Sequence, residues 1–144
     1  MIRIEVSGID AVEKHLQDVP VKVEREVLRQ MAQFVYDHAE KGADRHTKTG
    51  ALRQSLYNRP IPGGREIGHD TGRAPYAVFV HWGTRPHVIG PKNKKVLRWS
   101  GPNGFTFSRH VNHPGYKGDP YLTNAARDAM RQFDTFVQNA LRKV

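Results

Sequence analysis

Apolar residues return along this chain with two different periods, and the change of period marks its elements. Met1-Ile2-Arg3-Ile4-Glu5-Val6 alternates apolar and polar side chains, which predicts a strand. Ser7-Gly8 then turns the chain. Ile9, Val12 and Leu16 follow at three- and four-residue spacing and predict a short amphipathic helix over 9–17. Pro20 opens a second helical stretch, at a position where its missing N–H costs little. Val23, Val27, Met31, Phe34, Val35 and His38 fall on one face of it, and charged residues fill the other, to about Gly42 or a little past it.

The middle of the chain reads as short strands. Thr49 is a candidate N-cap for a one- or two-turn helix over Gly50-Ala51-Leu52-Arg53-Gln54-Ser55. Tyr57 to Pro60, the Pro62-Gly63-Gly64 turn and Glu66 to His69 predict an antiparallel pair. Residues 76–82 are rich in β-branched and aromatic side chains and are expected to form a strand ended by Gly83. Further short strands are expected at His87–Ile89, Lys95–Trp99 and Phe105–Ser108, the last two joined at Pro102-Asn103-Gly104. Asp119 as N-cap and Pro120 at the first helical position predict a final helix. Leu122, Ala126, Ala129, Phe133, Phe136, Val137, Ala140 and Leu141 give it one apolar stripe. The order is that of a single α+β domain: a small antiparallel sheet packed against a long helix in the N-terminal half and a C-terminal helix.

With 144 residues, 38% of them hydrophobic, one domain of this kind can bury roughly two thirds of its unfolded surface. No run of about 18 apolar residues is present to cross a membrane. The N-terminus lacks the apolar stretch of a signal peptide, so a cytoplasmic starting point is expected. Absence of cysteine excludes disulfides, thiolate metal sites and a cysteine nucleophile.

Charge changes the picture more than composition does. The net charge is +9, and its excess sits in one interval. Residues 71–118 contain eight basic side chains and no acidic one, whereas residues 1–70 balance eleven against eleven. Such segregation implies an anionic neighbour, either nucleic acid or an acidic protein face. Arg85, His87, Lys92, Lys94, Lys95, Arg98 and Arg109 are the candidate interaction residues. Tyr76, Phe79, Trp82, Trp99, Phe105, Phe107 and Tyr116 lie among them. Basic groups beside aromatics can hold phosphates and stack bases. The same aromatics at alternate strand positions are, more simply, what a sheet core needs, and packing in the core is the expectation for them.

Catalytic patterns are weak. His110-Val111-Asn112-His113 suggests a metal site or a nuclease, but no carboxylate accompanies it within 71–118; a polar loop before a turn at Pro114-Gly115 is the simpler reading. The carboxylates of the long helix alternate with lysines and arginines as on a solvated face. No serine sits in a Gly-x-Ser-x-Gly elbow, and neither glycine pair matches a phosphate-cradling loop. No catalytic residue, metal or cofactor is assigned.

Several motifs stand in order: Thr49-Gly50-Ala51-Leu52-Arg53-Gln54-Ser55, then Tyr76-Ala77 through Gly83-Thr84-Arg85-Pro86-His87, then Ile89-Gly90-Pro91-Lys92 through Trp99. Arg109 to Gly115 and Pro120-Tyr121-Leu122 follow them. Together they resemble the tail-component family of long-tailed bacteriophages and prophages, also described as tail-completion or head–tail joining proteins. The resemblance departs at His81-Trp82, where the family commonly has an acidic residue before Gly-Thr. The resemblance implies a non-enzymatic virion subunit of the neck or upper tail, forming a homo-oligomeric ring. Its partners would be copies of itself, other neck and tail proteins, and DNA passing through the channel, with no membrane contact. A small basic nucleic-acid-binding protein is the alternative.

Overall fold

The computed structural model describes residues 3–6 and 21–143; the helix expected over 9–17 lies outside them. Strand β1 (Arg3–Val6) pairs antiparallel with one edge of β3 (Gly64–His69), and β2 (Leu56–Ile61) pairs with the other. The order is β1-β3-β2, with β3 in the centre. Ile61 faces Gly64 across the turn, so Pro62-Gly63 forms a tight connection where the sequence places it.

Central position explains why β3 is buried along most of its length, including a carboxylate. Glu66 is fully buried in this strand. It accepts the Tyr57 hydroxyl at 2.5 Å and an Arg59 N–H at 3.0 Å, both from the neighbouring strand. A buried charge needs such partners.

Helix α1 (Val21–Asp44) buries Val23, Val27, Met31, Ala32, Val35, Ala39, Gly42 and Ala43, a stripe at three- and four-residue spacing. His38, expected on that face, is exposed at its edge, stacked on Phe34 at 3.9 Å. The helix ends a little past Gly42, where the glycine serves packing: a Cβ there would lie 2.4 Å from the Cβ of Tyr121. Helix α1 packs on β2 and β3 and also on the C-terminal helices.

Helix α2 (Ala51–Gln54) is a single turn, and Gly50 holds its cap position in the left-handed conformation. Thr49 does not cap it: its hydroxyl stands 3.5 Å from the Ala51 nitrogen, longer than a normal hydrogen bond.

The C-terminal stripe forms two helices, α4 (Tyr121–Arg131) and α5 (Phe133–Lys143), interrupted at Gln132. Between α2 and this pair lies α3 (Ala77–Trp82). Phe34 of α1 meets Phe136 of α5 edge to face at 5.7 Å, and Lys143 donates to Glu26 at 2.8 Å. Hydrogen bonds from Arg29, then Lys143 and Gln30, hold the Glu26 carboxyl well below the usual range. Asp119 is not the N-cap of α4: no side-chain bond caps that helix, whose cap position is Pro120. The Asp119 carboxylate is instead taken by Arg45 at 2.9 Å and His46 at 2.7 Å, both just beyond α1.

Residues 77–82, with Tyr76 at the cap position, form α3 and not the strand that the composition of 76–82 suggests. The Phe79 and Val80 amides donate to the Tyr76 carbonyl, and the Gly83 amide donates to Phe79. Only Ala77 and His81, four apart, are buried in it. One helical face therefore meets the core, and this burial overrides a strand propensity that is itself context-dependent.

Candidate interaction surface

From Gly83 the chain leaves the body, and it returns at Gly118. Between them lie β4 (His87–Ile89), β5 (Leu97–Gly101), β6 (Gly104–Ser108) and β7 (Val111–His113). They pair as two antiparallel ribbons, β4 with β7 and β5 with β6. Val111–His113 is thus a strand, not the polar loop expected there; Val88 opposite Asn112 and Ile89 opposite Val111 set its register. The base of the arm is a bridge between Thr84 and Tyr116, with N–H to carbonyl distances of 2.8 and 3.0 Å. A third bond, from the Asp119 amide to the Val80 carbonyl at 2.9 Å, fixes the arm to α3.

No residue from 82 to 120, all of them described, is buried. The aromatics expected in a core are therefore on the surface. Phe79 is 56% exposed, Trp82 62%, Phe105 59% and Phe107 60%; Tyr76, Trp99 and Tyr116 are exposed as well. The physical reason is the absence of a second layer. Trp99, Phe105 and Phe107 lie on a two-stranded ribbon, neither face of which is covered among the described residues, and Phe79 and Trp82 lie on the part of α3 that does not meet the core. We expect Phe79→Ser to shift stability by no more than about 0.5 kcal/mol, read as the midpoint of urea unfolding, because that ring is not part of the core.

The expected interaction residues all lie on this arm and are exposed. Among the described residues, none of the eight cations of 71–118 is in an ion pair. Arg85 and His87 border a cleft of about 760 Å³ with Tyr76, Phe79 and Tyr116. There His87 stacks on His113 at 4.9 Å, and its Nδ1–H donates to the Arg85 carbonyl at 2.8 Å. Lys92, Lys94 and Arg98 border a second cleft of about 570 Å³ with Phe107. Lys95 and Arg109 line neither. His110 and His113 do not converge with a third ligand: among the described residues no three His, Asp or Glu side chains are arranged to hold a metal ion.

The body holds a buried polar group that no sequence spacing signals. His69 of β3, Ser55 after α2 and Tyr121 of α4 are joined by hydrogen bonds, Ser55 Oγ to His69 Nδ1 at 2.7 Å and Tyr121 Oη to His69 Nε2 at 2.7 Å. The Ser55 hydroxyl lies 2.6 Å from the Leu52 carbonyl and donates to it. The directions follow from that donation. The Nδ1–H donates to Ser55 and the Tyr121 hydroxyl donates to Nε2. The imidazole lone pair is thus occupied by Tyr121, so His69 has no basic nitrogen facing Ser55 and the pair is not an activated nucleophile. Burial, only partly offset by the Leu52 carbonyl, pushes the His69 pKa down to about 4. Burial, then the nearby Asp119 charge, pushes Tyr121 up, which keeps its hydroxyl neutral and able to donate.

His81 of α3 is also buried, and neither ring nitrogen has a hydrogen-bond partner among the described residues. Its ring meets those of Tyr121 at 5.6 Å and Trp82 at 4.3 Å. Burial lowers its pKa against the pull of Asp119. For Asp119, burial acts to raise the pKa, but hydrogen bonds from His46 and Arg45 outweigh it and the carboxyl is held low.

No helix among the described residues is long and apolar enough to cross a membrane. In comparisons with known protein families, curated proteins and solved structures, nothing matches the chain.

Proposed function

We propose that the chain is a structural subunit of a long-tailed phage or prophage virion, assembling as a homo-oligomeric ring that completes the tail and joins it to the head. The observation that carries this reading is the arm. It has no buried residue, carries unpaired cations and exposes aromatic rings, so it gains a covered face only on association. Closing a ring requires a heterologous interface, in which one surface of each copy meets a different surface of the next. An arm that leaves the body at Gly83 and rejoins it at Gly118, exposed between, supplies one half of such a contact. The motifs that resemble the tail-component family support the same reading, since the Gly-Thr-Arg-Pro-His stretch lies at the arm's base. The subunit works by being placed between copies of itself and other neck and tail proteins, without catalysis.

Electron microscopy of particles from a phage or prophage lacking this gene tests the proposal. Filled heads beside separate tails, or tails of abnormal length with ragged ends, are the expected result. Complete, normal virions would overturn it.

A further inference from the structure

The geometry points to a binding face for a single strand of nucleic acid on the β5–β6 ribbon, formed with the lysine loop beside it. The register places Arg98 opposite Phe107 and Ser100 opposite Phe105. Side chains of a strand alternate between faces, so Arg98, Phe105 and Phe107 share one face, and Trp99 with Thr106 lies on the other. Phe105 and Phe107 are two residues apart, which separates their rings by roughly 7 Å along the strand. The Arg98 guanidinium lies over the Phe105 ring at 4.3 Å. Lys92 and Lys94 close one side of this face, across the cleft they share with Arg98 and Phe107.

Two features select the occupant. The first is the purity of the charge. A surface of one sign suits a partner that presents the opposite sign at every step, as a phosphodiester chain does. Residues 71–118 have no carboxylate to repel such a chain. The second is the pair of exposed phenylalanines at alternate positions on a ribbon, flanked by cations. Unpaired bases stack on such a platform, and each stacked base contributes about 1–3 kcal/mol. A duplex hides its base faces and could use only the cations. Phosphates would lie along Lys92, Lys94 and Arg98, with bases on Phe105 and Phe107. The inference is independent of the virion reading, because it is measured on the isolated protein and that reading on particles.

The test is fluorescence anisotropy of the full chain with a labelled oligothymidylate, with a duplex of the same length, and with polyglutamate as competitor. The single strand is expected to bind more tightly than the duplex, with affinity falling as salt rises. Phe107→Ala should weaken binding about tenfold, the equivalent of about 1.4 kcal/mol. Phe107→Tyr, which keeps a stacking ring, should retain it. Lys94→Ala should lower affinity and flatten the salt dependence, and Trp99→Ala, on the opposite face, should change little. Circular dichroism confirms that each variant is folded. No binding at low salt, equal affinity for duplex with no effect of Phe107→Ala, equal loss in Trp99→Ala, or displacement by polyglutamate as effective as by the oligonucleotide itself would each overturn the inference.

Discussion

Gly83→Ala is expected to destabilise the protein by about 3 kcal/mol and to free the arm from the body. Gly83 has φ +81° and ψ −174°, a region that only glycine occupies readily, and forcing another residue into it costs about 1–3 kcal/mol. The site is also crowded: a Cβ there would lie 2.2 Å from the Tyr116 carbonyl oxygen. That oxygen is fixed by the Thr84 amide, so it cannot retreat without breaking the bridge at the base of the arm. Urea unfolding would show the loss of stability, and limited trypsin digestion would show earlier cleavage at the arm's lysines and arginines. Gly90→Ala is the control, because a Cβ at that position meets nothing within 4 Å. Equal stability of the two variants would refute this account of Gly83.

Acid is expected to weaken the fold well before its carboxylates titrate. The folded pKa of His69 is about 4, against about 6.5 in an unfolded chain. As pH falls below 6.5 the unfolded form takes a proton that the folded form refuses. Stability is therefore complete above about pH 6.5, is lost progressively between 6.5 and 4, and changes no further through this group below that. The loss is roughly 3 kcal/mol across the window. His81, lowered by burial as well, adds to it in the same direction. A proton on His69 would meet Ser55, the Tyr121 hydroxyl and His81, none of them a negative charge; the Asp119 charge that acts on His81 is already engaged by Arg45 and His46. Urea midpoints measured from pH 7.5 to 4 would follow this slope, and His69→Gln should be less stable at neutral pH with a flatter profile. A wild-type chain equally stable at both ends of that range would contradict the burial of His69.

What could be read from the sequence was whatever is decided locally. The stripe of α1, the Pro62-Gly63 turn and the β5–β6 hairpin each depend on neighbours within a few residues. The acid-free interval could be read too, since a count needs no structure. The run 76–82 could not, because Val, Phe and Trp in six residues suit a strand or a helix, and only the burial of Ala77 and His81 decides between them. The exposed aromatics were misread for a related reason. Alternation identifies two faces of a ribbon but does not say whether anything covers either. The Ser55–His69–Tyr121 group left no trace in spacing, because its members are 14 and 52 residues apart and ordinary in kind.

The base of the arm is closed by one pair of backbone hydrogen bonds, Thr84 with Tyr116, and held to α3 by a third, and the arm sends no buried side chain into the core. The core therefore takes no buried side chain from between those two residues; the interval meets the body at the cleft it shares with Tyr76, Phe79 and Val80. The interval 85–115 is an interchangeable cartridge. A short turn closing the same two ends would leave a compact body with its helices and three-stranded sheet intact, and a different ribbon inserted there would give that body a new specificity without repacking its interior.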